Sequence, residues 1–333
     1  MATDALPITL RPNWQRELAA VCTDAKQLAA QLNLPAEFMT KHLGASKLFP
    51  LRVTQHFISL MTPGDVNDPL LRQVLPHADE FLHADGFVTD PLAEQQHSQP
   101  GVLHKYRSRV LVILRGGCAI NCRYCFRRHF PYDQHHFGPQ QRAELLDLIR
   151  ADAAINEVIL SGGDPLLATD PQLDRLLTEL ESLPQLTRVR IHSRLPVVLP
   201  SRLTTDLAKR LQASRLNAVL VIHSNHPNEI DPLLTAALQQ WRDYGVTLLN
   251  QSVLLKGIND DPGILASLSE KLFTAGVLPY YLHQLDKVAG ASHFAVSDDQ
   301  ARQIEHQLRG ILPGFLVPQL VREIAGEASK TPL

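Results

Sequence analysis

Short apolar runs recur roughly every thirty residues in the second part of the chain: Val110–Leu114, Val158–Leu160, Val189–His192, Ala218–His223, Val246–Leu254 and Val277–Leu282. They are rich in Val, Ile and Leu without a polar alternation, the composition of strands covered on both faces. Helical patterns lie between them, near 142–150, 172–183, 204–212, 233–244 and 263–275. A strand, a crossover helix and a neighbouring strand run parallel, because the crossover returns the chain to the end it left. Repetition of that unit leaves a flat doubly wound sheet or a partial (β/α)6 TIM-like barrel, and six successive units predict the barrel. Catalytic groups then belong in the loops that follow the strands.

The region before the first run reads differently. From Asn13 to about Leu92 the pattern is mainly helical but broken by Pro35, Pro50, Pro63, Pro69 and Pro76, which predicts an irregular cap. Leu18, Val21, Leu28 and Leu32 have the spacing of a packed helix face across Trp14–Leu32. The expected organisation is a helical cap over 1–95, an α/β core over 96–300 and a C-terminal extension over 301–333. In that extension the apolar stretch Phe315–Val321 can add a strand that carries the tail to the barrel mouth. A net charge of -2 with 20% charged residues leaves no basic stripe for nucleic acid or a membrane surface. With no signal peptide and no apolar run of spanning length, the expected setting is cytoplasmic and the partner a small molecule. Cys22, isolated in sequence, reads as an ordinary core residue.

Chemistry concentrates in the loop after the first run, Arg115–Arg128, which holds three of the four cysteines, Cys118, Cys122 and Cys125. Their Cys-x3-Cys-x2-Cys spacing lets one loop aim three thiolates at one centre, one ligand short of a closed site. Thiolates select soft metals, so the candidates are a [4Fe-4S] cluster with one uncapped iron, or a zinc completed by water or by His129, His135 or His136. A zinc-stabilised binding protein is the non-enzymatic alternative. Ser161-Gly162-Gly163-Asp164 ends the second run, and its glycines allow a backbone to approach a ligand closely. Arg194 and His226 lie just past the third and fourth runs, where a buried, hydrogen-bonded role is the default and a pocket contact the alternative.

The cysteine loop, with Tyr124 and Phe126 flanking Cys125, resembles the signature of the radical S-adenosylmethionine (SAM) superfamily. Further motifs follow in an order that resembles the lysine 2,3-aminomutase family: His104–Leu111, Arg127-Arg128, His226–Glu229, Leu285–Phe294 and Lys330-Thr331-Pro332. The resemblance covers roughly 95–333. It implies a [4Fe-4S] cluster on Cys118, Cys122 and Cys125, with SAM chelating the open iron and meeting Ser161, Gly162, Gly163 and Asp164. Arg194 and His226 follow as SAM or pocket contacts. It also implies pyridoxal 5'-phosphate (PLP) on Lys330, surrounded by Lys105, Tyr106 and Arg109, with Lys105 standing where the family often has arginine.

By the same resemblance Arg127 pairs with the substrate carboxylate, and Asp286 and Glu323 meet a side-chain ammonium. A buried ammonium needs compensating charge, so lysine is the implied substrate and (R)-β-lysine the product. Glu323 stands where aspartate is usual. The short chain resembles those members that serve β-lysylation of elongation factor P together with a synthetase-like enzyme. An electron donor such as flavodoxin or ferredoxin is implied, and a homo-oligomer is compatible. The alternatives are an aminomutase for another amino acid and a radical SAM enzyme without PLP.

Overall fold

The computed structural model describes residues 13–96, 98–99, 101–134 and 137–333. Its strands are β1 (Ser98–Gln99), β2 (Val102–Tyr106), β3 (Arg109–Arg115), β4 (Glu157–Gly162), β5 (Arg188–Ser193), β6 (Asn217–His223), β7 (Thr247–Val253), β8 (Leu278–His283), β9 (Gln319–Arg322) and β10 (Thr331–Pro332). They form one sheet in strict chain order. Neighbours from β3 to β9 pair in parallel, while β1 with β2, β2 with β3 and β9 with β10 pair antiparallel. The expected apolar runs are β3 to β8, and β9 overlaps the C-terminal stretch Phe315–Val321, ending one residue beyond it.

A doubly wound sheet reverses its strand order at a switch point, and this sheet has no reversal. It curls instead. Tyr106 on β2 donates to Glu323, just past β9, at 3.2 Å. Among the described residues no backbone ladder joins these two strands, so the barrel is partial and side chains bridge its seam. The helices Pro139–Ala151, Asp170–Glu181, Thr205–Gln212, Pro232–Asp243, Pro262–Thr274 and Asp298–Ile311 cover the outside. Local chemistry sets several starts: Asp231 accepts from Leu234 N at 2.9 Å and Asp261 from Ile264 N at 3.0 Å, each followed by a proline whose missing N–H costs nothing there. Leu173, Leu176, Leu177 and Leu180 form one buried stripe, and Trp241 is wholly buried.

At the N-terminal end the expected single helical stretch is interrupted. Helix Asn13–Ala19 stops, and Cys22 exchanges backbone hydrogen bonds with Val53 at 2.8 and 3.0 Å. Asp24 then caps a new helix, Ala25–Gln31. The bridge requires extended backbone at Cys22, which side-chain spacing cannot reveal. Cap residues Trp14, Leu28, Phe57 and Leu71 share one hydrophobic cluster with Val110, Leu160, Leu195 and Trp241. The cap is also fastened to the cysteine loop by charge. Glu80 accepts from Arg123 Nε at 2.8 Å and Arg128 Nη2 at 2.7 Å, with all three side chains at most 1% exposed. Among the described residues no helix is long and apolar enough to cross a membrane.

Candidate active site

The cysteine loop leaves the end of β3, where a barrel gathers its chemistry. Burial, then Asp164 and the other two cysteines, push the Cys118 thiol well up; burial, then Cys122, lifts Cys125 to about 11. Three thiols that crowd one another in this way call for positive charge, and a bound metal centre supplies it by drawing them into thiolates. The donor set therefore fits a cluster. Among the described residues no three His, Cys, Asp or Glu side chains are drawn together as one ion requires. Of the histidines considered for zinc, His129 turns its Nε2 to Ala289 O at 3.2 Å, and His135 and His136 lie outside the described residues.

The glycine pair after β4 has a definite neighbour. Gly162 sits at φ +117, and a Cβ on Gly163 would collide with the Gly117 carbonyl. Gly163 N donates to Arg115 O at 2.7 Å and Asp164 N to Gly117 O at 2.8 Å, so the close approach is to the cysteine loop itself. Asp164 accepts from Ser193 Oγ at 2.7 Å, from Arg194 N and Leu195 N at 2.9 Å and from Leu166 N at 3.0 Å. It thereby ties β4 to β5, although burial still raises its carboxyl to about 6.

Arg194 reaches the same loop. It donates to Tyr124 OH and, at 2.8 Å, to Gln73 Oε1 of the cap. Burial opposes its charge, but Cys122, Tyr124 and Glu229 outweigh burial and hold the guanidinium's pKa above its ordinary value. His226 meets this network through its backbone, its N donating at 3.1 Å to Glu229, which stands 3.5 Å from Arg194. Its Nδ1 accepts from Asn228 N at 3.2 Å in a local cap, and burial lowers it to about 4. Histidines on the strands turn inward instead. His192 and His223 lie with ring centroids 5.9 Å apart, Gln251 Nε2 is 2.9 Å from His223 Nε2, and His283 stands beside Tyr281. His192 Nε2, His283 Nε2 and Gln251 Oε1 are buried without a protein partner, the mark of an interior shaped for a polar guest.

Lys330 faces that interior. The β9–β10 pairing brings the tail back, and Lys330 Nζ donates to Glu323 Oε2 at 2.7 Å while lying 5.7 Å above the Tyr281 ring. The other oxygen of Glu323 accepts from Tyr106 and lies 3.7 Å from Lys105. Arg109 stacks on Tyr106 at 4.0 Å. Asp286, after β8, is pushed up to about 7 by burial and then by Glu323, with Lys330 opposing. Arg127 is buried, with Nη1 donating to Ser161 Oγ and Gly162 O, both at 3.1 Å.

Two acids escaped the sequence reading. Glu94 takes Arg127 in a two-toothed pair at 2.6 and 3.0 Å and Lys105 at 3.1 Å, and Glu80 holds the loop from the cap. Both lie in turn-like segments where an acid gives no local signal. The structure thus gathers Lys105, Tyr106, Arg109, Arg127, Ser161, Gly162, Asp286, Glu323 and Lys330 at the mouth, sets Arg194 and Asp164 against the cysteine loop and ties His226 to Arg194 through Glu229.

Residues 112–264 match the Radical SAM superfamily. L-lysine 2,3-aminomutase of Escherichia coli (strain K12) is 53% identical over 324 residues, 97% of this chain and 95% of that protein. The protein of the same name from Haemophilus influenzae is 52% identical over 320 residues, 96% of this chain and 95% of its own. That of Clostridium subterminale is 39% identical over 290 residues, 86% of this chain and 69% of its own.

Proposed function

The chain belongs to the lysine 2,3-aminomutase family of radical SAM enzymes, and from that premise we propose that it converts L-α-lysine to (R)-β-lysine with PLP carried on Lys330. The observation that supports PLP is a chain of contacts: Lys330 Nζ to Glu323 at 2.7 Å, Glu323 to Tyr106 at 3.2 Å and to Lys105 at 3.7 Å. It unites a primary amine, a carboxylate beside it and two groups suited to an anion. When bound, the cluster with SAM supplies a carbon radical, and PLP supplies an aldehyde that joins primary amines and spreads unpaired spin.

Cys118, Cys122 and Cys125 would hold the cluster, and Lys330 the coenzyme, with Glu323 accepting a hydrogen bond from Lys330 and staying ionised. Lys105 and Arg109 would offset the phosphate charge; Lys105 supplies that charge without the planar fork of an arginine. Arg127 suits a carboxylate because its guanidinium is planar and pinned by Ser161 and Gly162. Asp286 and Glu323 would receive the distal ammonium. An arriving cation pulls the raised Asp286 pKa down and leaves that carboxyl ionised. The same acids would repel glutamate as a substrate. The cap, fastened through Glu80, would keep water from the mouth.

Conversion is tested by anaerobic incubation of the reconstituted protein with SAM, PLP, a reductant and a panel of L-amino acids, followed by chromatography for β-isomers. Lysine should be converted, and Cys122→Ala and Lys330→Ala should each abolish conversion. Full activity in either variant would sink the proposal. We extend it to supply of β-lysine for elongation factor P through a synthetase-like enzyme, with flavodoxin or ferredoxin as the electron source. The extension rests on the resemblance read in the sequence, and the chain is more similar to the E. coli relative, at 53% identity, than to the clostridial one, at 39%. A mass increase on elongation factor P in the coupled system tests it.

A further inference from the structure

An arginine has five N–H groups, and those of Arg127 are nearly all engaged. Glu94 takes Nε at 2.6 Å and Nη2 at 3.0 Å, while Ser161 Oγ and Gly162 O take Nη1. The two parallel bonds from Glu94 are the ones an incoming carboxylate would make. Both side chains are buried, at 7% and 5% exposure, so the pair is shielded from water. Burial opposes the charge on Glu94, yet Arg127 and then Lys105 hold its carboxyl below the usual range. A second carboxylate cannot enter the fork while Glu94 fills it.

The segment that carries Glu94 is held under tension. Ala93, the residue before it, has φ 50, a left-handed conformation that is costly for any residue with a Cβ. Asp90 steadies the turn by accepting from Glu94 N and Gln95 N, each at 3.0 Å. The ion pair with Arg127 and this Asp90 turn keep Ala93 strained, and a strained segment relaxes when its clasp is released.

We propose that Glu94 is a resident stand-in for the substrate carboxylate, filling the Arg127 fork until an incoming α-carboxylate displaces it and frees the segment 90–95. The inference rests on the reading of Arg127 as the carboxylate receptor. Exchange of one carboxylate for another leaves the buried guanidinium paired throughout, which avoids an uncompensated buried charge. It also makes substrate affinity depend on how often the fork stands open. The ligand class it admits is an amino acid with a free α-carboxylate.

Amide hydrogen exchange of the enzyme loaded with cluster and PLP tests this, comparing saturating L-lysine with 1,5-diaminopentane, which keeps both amines and lacks the carboxylate. Lysine should speed exchange at Glu94 and Gln95 about tenfold or more as the Asp90 turn opens; the diamine should leave both unchanged. In Glu94→Gln, KM for lysine should fall roughly threefold or more, because the competing charge is gone. Unaltered protection with lysine, or a raised KM in Glu94→Gln, would overturn the inference, since an acid that only orients Arg127 weakens binding when neutralised. Arg127→Lys separates the two levels. If it weakens calorimetric binding of lysine but not of the diamine while Glu94 stays protected, the exchange idea alone fails; if lysine binding is unchanged, the receptor reading fails and takes the inference with it.

Discussion

Replacing Glu80 by glutamine probes how the cap is secured over the cysteine loop. The carboxylate is shared by two guanidinium groups that are 0% and 1% exposed, and Arg123 Nη1 also donates to the Phe49 carbonyl at 2.7 Å. Glutamine retains the shape and one acceptor but turns an amide N–H toward donors. Removing one partner of a buried pair costs about 3–5 kcal/mol, because the remaining charge is left in a poor solvent. Against a total stability of roughly 5–15 kcal/mol that is about a fifth or more, and the melting temperature should drop by on the order of 6–10 °C. An internal comparison sharpens the test. Arg150 and Asp147 form a pair at 2.8 Å with both side chains more than half exposed, and Arg150→Ala should change stability by about 0.5 kcal/mol or less. Scanning calorimetry at matched heating rates gives the stability, and the rate at which a chelator strips iron reports the loop. Glu80→Gln should bleach faster as well as melt earlier. A loss below about 1 kcal/mol, or an unchanged bleaching rate, would refute the claim that this triad fastens cap to loop.

Two further outcomes follow from the site. Gly163→Ala puts a methyl group into the Gly117 carbonyl, so the cysteine loop must shift; iron content after reconstitution should drop at least severalfold, and a full complement would contradict the packing. Asp286, raised to about 7 from an ordinary value of 3.8, keeps a proton in the folded protein that the unfolded chain has lost. Its contribution to stability therefore declines as pH rises from about 4 through about 7. Asp286→Asn should gain stability relative to the parent across that window, and parallel melting curves from pH 5 to 8 would count against the assigned shift.

Strands β4 and β6 are legible because Val, Ile and Leu fill a short, mostly buried run, whereas β5 and β7 alternate buried with half-exposed positions and stand out by their spacing along the chain. The cysteine loop was equally plain, since its ligands lie within one turn-rich stretch. What the chain concealed has a common cause. β1 and β2 form a half-polar hairpin containing His104, Lys105 and Tyr106, which lacks the run of apolar residues that marks a covered strand. Glu94 and Glu80 meet their arginines across 33 and 43 residues, and nothing beside either acid hints at the partner. The break at Cys22 is a backbone event, decided by Val53. Lys330 was found through motif order; by position alone a lysine so near the end reads as a solvated tail.

The seam between β2 and the end of β9 is bridged by side chains. A barrel closed by a ladder can widen at that joint only by breaking backbone hydrogen bonds, whereas here a phenol and an ammonium meet one carboxylate across the gap. Parting them leaves every rung of the sheet intact. A joint made of charge and hydrogen bonds in this way answers to salt while the scaffold stands still.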